Sequence, residues 1–544
     1  MNRIAPQKVI LLLTCLLFGA FLLFPMITIL VKSLSGSDGF TLFYYKELVS
    51  ADIGGAFRNS ILVSATSGLL ATMLAFLPAY AVNYTNLNGG FKKTISTVTM
   101  LPMLLPTITY GFAIIYSFGK QGLITKLLGT QFVDIYGIAG LIIGYVVYTL
   151  PTSFMLINNN MKYIDKKFMT VSRLMGDSKL KCFLTTVLRP LISTLAISFI
   201  QSFTLSFTDY GIPAALAGNI DLVSTRLYNE MLGSLPNFNV GSAVSILMLL
   251  PSVVSIVLVT ILNRYNIRYN KISQVDLERN RIRDTVFGAI SALLLIGIIA
   301  IFAVIFVMPF VEQWPYRLNF TTEYILDVFA DSSLMGVYKN SLLMAFITAL
   351  LGTVVVYATA LVSARRNEYR TFGKIPDSIS LITNTIPGMV LGVAYLLTFK
   401  GTFLHNSFAV LIACNIVHFF SSPYLMMKGS LEKLNASWET TAKLMGDTWL
   451  QTVIRIITPN AVSTLLEAFS YFFVNSMVTV SAVIFLVSTR TMVITAKIKE
   501  LQHFASFNEI FVLSILILFT NLLVKGIIKF STTRSTKNRK DTMK

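Results

Sequence analysis

Few side chains in this sequence are of a type and spacing that could do chemistry. His405, His418 and His503 are scattered without ligand spacing, and Cys15, Cys182 and Cys414 form neither a disulfide framework nor a metal pattern. No G-x-x-x-x-G-K-[ST], H-E-x-x-H or G-x-S-x-G occurs, so no phosphate loop and no hydrolase set is written in the chain. What remains is a group of polar residues inside apolar stretches. Asp209, in "SFTDYGIP", is the one persuasive acid, with Gln201, Thr208 and Tyr210 beside it; Asn475, Thr479 and Ser481 face them from the corresponding stretch of the second half, counted from Pro190 and Pro459. Polar groups are costly in hydrocarbon, so their use would be contact with a small polar or charged solute. The alternative is that Gln201 and Asn475 only glue helices together. One edge carboxylate is thin support for ion coupling, and an external energy source is expected.

The elements that must position these residues are membrane helices. Of 544 residues, 54% are hydrophobic and 13% charged, with a mean hydropathy of +0.71, far from a soluble domain. A helix crosses the ~30 Å bilayer core in ~20 residues. Stretches of that length lie at 9–31, 60–84, 97–119, 135–159, 190–215, 240–263, 286–311, 341–364, 378–399, 406–428, 460–486 and 508–530, which predicts an all-α membrane protein of about twelve helices. The alternating strands of a membrane barrel are absent from the pattern.

The formal charge of +19 raises nucleic acid, but its placement answers otherwise. Loop 160–190 carries Lys162, Lys166, Lys167, Arg173, Lys179, Lys181 and Arg189, and loop 264–285 carries Arg264, Arg268, Lys271, Arg279, Arg281 and Arg283. Segment 365–377 adds Arg365, Arg366, Arg370 and Lys374, and the end of the chain adds Lys529, Arg534, Lys537, Arg539, Lys540 and Lys544. With alternating helices all of these fall on one side, the positive-inside pattern, which makes both termini cytoplasmic and leaves no need for a nucleic-acid partner. The first helix, lacking a small-residue cleavage site, reads as a retained span.

The chain is written twice. "FRNSILVSA" (57–65) matches "YKNSLLMAF" (338–346), which sets Asn59-Ser60 281 residues before Asn340-Ser341; the same interval relates Pro106 to Pro387 and Gly111 to Gly392. The tetrad Leu174-Met175-Gly176-Asp177 returns 270 residues later as Leu444-Met445-Gly446-Asp447. Six helices per copy make the repeat parallel. The division is 1–263 and 286–530 for the two repeats, 264–285 for a basic linker and 531–544 for a basic tail. Pro106 and Pro387 should break or kink their helices, as a hinge or a static bend.

Each tetrad lies in the cytoplasmic loop between the fourth and fifth helix of its half. Asp165 and Asn435 suit a helix N-cap, Gly176 and Gly446 the left-handed position that ends it, and Asp177 and Asp447 a cap on a return helix. The short helix has an apolar stripe, Phe168, Val171, Leu174 and Met175 in one copy and Trp438, Thr441, Leu444 and Met445 in the other. A helix of ~10 residues is marginal alone and needs its apolar face packed on something. Lipid or the protein's own helix ends would serve a single loop; two equivalent copies point to docking knobs for a partner with two equivalent sockets.

These loops resemble the "EAA" loop of binding-protein-dependent ABC importer permeases, in which a Glu-Ala-Ala triplet precedes the glycine and a proline follows thirteen residues after it. Gly446 to Pro459 has that spacing, with Thr440-Thr441-Ala442 at the triplet and Glu439 one residue ahead; the first copy has Thr170-Val171-Ser172 there, and Pro190 one residue further on. The resemblance covers both halves. It implies the MetI-like fold of type I importers, with Phe168, Thr170, Val171, Leu174, Met175, Gly176 and Asp177, and Trp438, Glu439, Thr441, Leu444, Met445, Gly446 and Asp447, coupling to two copies of a cytosolic ATPase subunit. ATP and Mg would sit in those subunits, no cofactor or metal in this chain, and an extracellular or periplasmic binding protein would deliver cargo to a bacterial cytoplasmic membrane. Among fused permeases the chain is most similar to the group serving 2-aminoethylphosphonate, ferric iron or thiamine, and "DYGIPAALAGN", "NFNVGSAVSILMLLP" and "SMVTVSAVIFLVS" incline to 2-aminoethylphosphonate. A rival is a secondary carrier of the major facilitator type, but "NYTNLNGGFKK" and "SARRNEYRTFGK" lack its Gly-x-x-x-Asp-Arg-x-Gly-Arg loop signature. A membrane enzyme or scaffold would lack any assembled catalytic set.

Overall fold

With no water in the bilayer core, each apolar run must satisfy its backbone N–H and C=O groups internally, and helix is the way a single segment does so. The computed structural model describes residues 6–36, 39–50, 53–131, 133–265, 278–365 and 374–542, the side chains of 49, 50 and 533–542 excepted. Among them nine helices are long and apolar enough to cross a membrane, and two bent helix pairs bring the number to eleven. In the first half they are α1 (Pro6–Ser33), α2 (Ile53–Tyr84), α5 (Ile138–Lys162), α7 (Lys179–Thr208) and α10 (Phe238–Arg264). The expected span 97–119 is instead two short helices, α3 (Gly89–Thr99) and α4 (Thr107–Phe118), joined by a 3-10 turn. Between the spans lie α6 (Lys167–Leu174), α8 (Gly211–Leu216) and α9 (Val223–Leu232).

The second half repeats this plan. Its spans are α11 (Arg281–Phe310), α12 (Ser332–Ala364), the pair α13 (Ile375–Thr385) and α14 (Gly388–Phe399) bent by 100°, the pair α15 (Phe408–His418) and α16 (Ser421–Glu432) bent by 55°, α18 (Trp449–Val478) and α20 (Phe507–Thr532). The short helices are α17 (Ser437–Leu444) and α19 (Ile494–His503). Helix α20 continues as backbone to Thr542, through most of the basic tail. Arg268 and Lys271 of the linker, Arg366, Arg370 and Lys544 lie outside the described residues.

Two expected spans end early. The stretch 190–215 leaves helix at Thr208 and 460–486 at Val478, where Asp209 and Thr479 turn to extended backbone. Hydropathy alone cannot see this, because the segments that follow are as apolar as the helices. Two antiparallel hairpins, Ser35–Gly36 with Gly39–Phe40 and Val311–Gln313 with Arg317–Phe320, follow the first span of each half and have no signal in the helical pattern.

The first span of each half packs on the other half. Thr14 meets Thr359 at 3.2 Å and the Phe21 carbonyl accepts from Tyr395 Oη at 2.6 Å, tying α1 to α12 and α14. Reciprocally, Phe287 of α11 lies 4.4 Å from the Tyr80 ring and Asp284 accepts from the Asn86 N–H. Within each half small residues let helices approach. A Cβ on Gly68 of α2 would come within 3.0 Å of the Phe203 nitrogen, and one on Gly352 of α12 within 2.9 Å of the Phe472 ring. Such small-residue contacts are how helices associate where lipid removes the hydrophobic drive.

The repeated Asn-Ser pairs and Pro-x4-Gly patterns find their reason here. Asn59 donates to the Asp221 carbonyl and Ser60 Oγ accepts from the Val223 N–H at 2.9 Å, holding the start of α9; Asn340 and Ser341 do the same for α19, with Ile494 N–H to Ser341 Oγ at 2.7 Å. Pro106 and Pro387 stand at the N-terminal ends of α4 and α14, in extended conformation. Five residues on, a Cβ on Gly111 would lie 2.3 Å from the Ala215 Cβ, and one on Gly392 2.4 Å from the Ala482 carbonyl oxygen. Gly392→Val therefore forces backbone apart rather than a side-chain tip. It should cost more than the ~1–3 kcal/mol of ordinary overpacking, read as a fall in thermal midpoint of the purified chain, with Gly352→Ala a milder control because its neighbour is a ring that can turn.

Candidate functional site

The two loops that carry the repeated tetrad are built alike. Asp165 Oδ1 accepts from the Lys167 N–H at 3.0 Å and Asn435 Oδ1 from the Ser437 N–H at 2.9 Å, starting α6 and α17. Gly176 and Gly446 end them at φ +82° and +87°, the left-handed region that favours glycine. Asp177 and Asp447 do not cap the return helices. Ser178 and Thr448 do, accepting from Lys181 N–H at 3.3 Å and Gln451 N–H at 3.4 Å. The aspartates are still inside the turn, their N–H groups bound to the Ser172 and Ala442 carbonyls, and only the next residue has the extended backbone a cap requires. Asp177 pairs instead with Lys181 at 2.6 Å and accepts from Ser172 Oγ at 2.8 Å, contacts that hold its carboxyl below the usual range. Asp447 faces Arg455 at 3.5 Å.

The stripe is turned outward. Ser172 and Ala442 are buried under the helices, while Leu174, Met175, Leu444 and Met445 are 83%, 78%, 83% and 81% exposed. Those four side chains are therefore not packed on the protein's own helix ends. Phe168 and Val171 are about half exposed, Thr170 and Thr441 exposed, Trp438 and Glu439 half-buried. Exposed apolar clusters of this kind mark interaction sites.

Each loop returns through an elbow of wider, π-type turns, Leu184–Leu188 and Val453–Ile457, just before Pro190 and Pro459. A proline ring clashes with the carbonyl four residues back, and the wider turn removes that contact.

The halves differ in how the loop is anchored. Arg365, at the end of α12, faces Glu439 of α17 at 3.4 Å, with side chains only 5% and 15% exposed, and donates to the Leu434 carbonyl at 2.9 Å. Burial pushes the Glu439 carboxyl up and Arg365 pulls it back. In the first half Tyr84 and Met169 hold these positions, and Lys166 Nζ lies 5.6 Å from the Tyr84 ring. Arg173 there contacts Glu278 at the end of the linker.

Asp209 is enclosed. It accepts from Thr107 Oγ1 at 2.8 Å and from the Ile212 N–H at 2.9 Å, joining α4 to the first turn of α8. Tyr210 stacks on Tyr228 at 4.6 Å. Thr208 and Asn475 bond carbonyls of their own helices, Thr204 and Tyr471, while Gln201, Thr479 and Ser481 are partly buried. The two halves meet nearby through residues the sequence did not flag: Gln502 donates to the Ala214 carbonyl at 3.0 Å and Asn521 to the Leu104 carbonyl at 2.9 Å. Among the described residues no group of three His, Cys, Asp or Glu could hold a metal ion.

Two repeats, each with an exposed amphipathic helix, a glycine turn and a proline elbow, fit a transport subunit of an ATP-driven importer. The chain belongs to the family described as binding-protein-dependent transport system inner membrane component, whose model matches residues 70–268 and again 356–536. It is 24% identical over 504 residues to a putative ferric transport system permease protein of Haemophilus influenzae, covering 89% of this chain and 78% of that protein. A ferric transport system permease protein of Actinobacillus pleuropneumoniae is likewise 24% identical over 508 residues, 89% of this chain and 72% of that one. A spermidine/putrescine transport system permease protein of Escherichia coli is 23% identical over 245 residues, 43% of this chain but 88% of its own. A relative the size of one half fits the fused, two-repeat architecture.

Proposed function

We propose that this chain carries ferric iron, handed over by an extracytoplasmic binding protein, across a bacterial cytoplasmic membrane, with work supplied by two copies of a cytosolic ATPase subunit that hold ATP and Mg. The observation that carries the reading is the pair of exposed knobs, Leu174-Met175 and Leu444-Met445, at equivalent positions of the two halves. Positive-inside charge supports a cytosolic place for both knobs and both termini, and the repeated motifs support the division into repeats 1–263 and 286–530 with the linker 264–285 and the tail 531–544. ATPase closure would draw the loops together and move the halves about the helix breaks at Pro106 and Pro387. Gln502 donates to the Ala214 carbonyl between the halves, a contact that would have to part for the halves to open there. Gln201, Thr208, Asn475, Thr479 and Ser481 offer neutral hydroxyl and amide contacts to the passing solute, with Asp209 engaged in capping α8 in this state.

Iron is favoured over 2-aminoethylphosphonate because two relatives that align along both halves are named for ferric transport. The test is uptake into proteoliposomes holding the permease, its ATPase and its binding protein. ATP-dependent entry of radioactive iron, at least about tenfold above that of labelled 2-aminoethylphosphonate, is the expected result; the reverse ratio would replace iron by the phosphonate.

A further inference from the structure

We propose that the second half binds one phospholipid acyl chain in a groove at its cytoplasmic elbow. The groove, of about 310 Å³, runs between α1, α12 and the start of α18, is lined by Ile10, Val354, Ala358, Leu361, Trp449 and Val453, and presents only apolar atoms. Its volume is at the lower end of ligand pockets.

The first half is the internal control. There Phe183, the residue just before the elbow, packs on Phe76 at 6.3 Å and on Tyr80 at 5.9 Å, and Tyr80 on Phe287 at 4.4 Å, so aromatic rings fill the corresponding space. In the second half Leu361 stands where Tyr80 does, 281 residues on, and Tyr357, at the position of Phe76, sends its hydroxyl to Thr458 at 2.7 Å. Leu361 in place of Tyr80 and Val453 in place of Phe183 are smaller, and Tyr357 is turned to Thr458, which leaves the space open.

The occupant follows from where the groove opens. Leu13, Leu350, Val354, Leu450 and Ile454 around it are exposed, so it is continuous with the surface that faces lipid. It lies between the N-terminal end of α1 and the residues just after the Gly446 turn; with those ends cytosolic, as the proposed function has them, that is the depth of the inner leaflet, and Trp449 falls where indoles sit in membranes. An unfilled groove forfeits dispersion contacts along its whole lining, and the molecule at hand to supply them is a lipid tail.

The test uses the permease with its ATPase subunits, purified in mild detergent, and counts co-purifying phospholipid by mass spectrometry. Val453→Phe and Ala358→Phe should each lower the count by one lipid per permease chain, and Phe183→Val, which opens the first-half equivalent, should raise it by one. A second readout uses the three tryptophans of the chain: with Trp314→Phe and Trp438→Phe in place, lipids brominated on the acyl chain should quench Trp449 at least about twofold more than in the same background carrying Val453→Phe. Unchanged counts in both filling variants, or equal quenching with and without Val453→Phe, would overturn the proposal.

Discussion

Leu444→Asp combined with Met445→Asp should yield a chain that inserts and folds but purifies without its ATPase subunits. At 83% and 81% exposure these side chains contribute little to the fold of the chain alone, and surface substitutions usually stay within ~0.5 kcal/mol. Seated in a partner's socket, each becomes an anchor of the kind whose loss costs ~2 kcal/mol or more. Every ~1.4 kcal/mol is tenfold in affinity, so the double change should weaken assembly at least about a hundredfold and reduce uptake to background. Sedimentation of the detergent-solubilised complex measures the first effect and substrate uptake the second. Leu174→Asp with Met175→Asp should do the same, since that knob is 83% and 78% exposed at the equivalent place. Retained ATPase at wild-type affinity in both would mean that the knobs are not docking elements.

Arg365→Leu is expected to give the largest loss of stability among single changes at the loops. It leaves the Glu439 carboxylate, 15% exposed, without its 3.4 Å partner, and frees the Leu434 carbonyl. Removing one member of a buried pair costs ~3–5 kcal/mol, and the residual exposure of Glu439 places the expectation at the lower end of that range. The double variant Arg365→Leu with Glu439→Leu should recover much of the loss, because two apolar groups carry no stranded charge. In the first half Tyr84 is buried and stacks on Tyr80, so Tyr84→Leu loses core packing as well as its ring–ammonium contact; it strands no charge, and no second substitution at Met169 should rescue it. Thermal midpoints of the four chains decide this. A double variant no better than Arg365→Leu would show that the ion pair itself does not anchor the loop. Because Arg365 joins α17 to α12, the single variant should also raise ATP consumed per solute carried.

Much of this architecture could be read in advance because membrane folding imposes few options. The paired tetrads, the left-handed glycines and the outward stripe follow from helix caps and periodicity, which act over a handful of residues. The Asn-Ser pairs and the Pro-x4-Gly patterns were visible as repeats, yet their work of holding α9 and α19 and of letting α4 and α14 approach α8 and Ala482 depends on contacts distant in sequence, such as Ser60 with Val223 and Gly392 with Ala482. The breaks at 100–106 and after Thr208 and Val478 escaped hydropathy because the chain stays apolar through them. Asp177 and Asp447 misled because the turn runs one residue longer than a minimal cap. Arg365 was visible only as part of a basic segment; its pairing with Glu439 needed the ends of α12 and α17 to be placed together.

A structure of the assembled permease and ATPase at side-chain resolution measures the docking directly. Leu174 and Met175 should be found seated in one ATPase subunit and Leu444 and Met445 in the other, each pair losing nearly all of its exposure. Either pair lying free in solvent or spread on lipid headgroups, with the ATPase bound elsewhere, would contradict the mechanism.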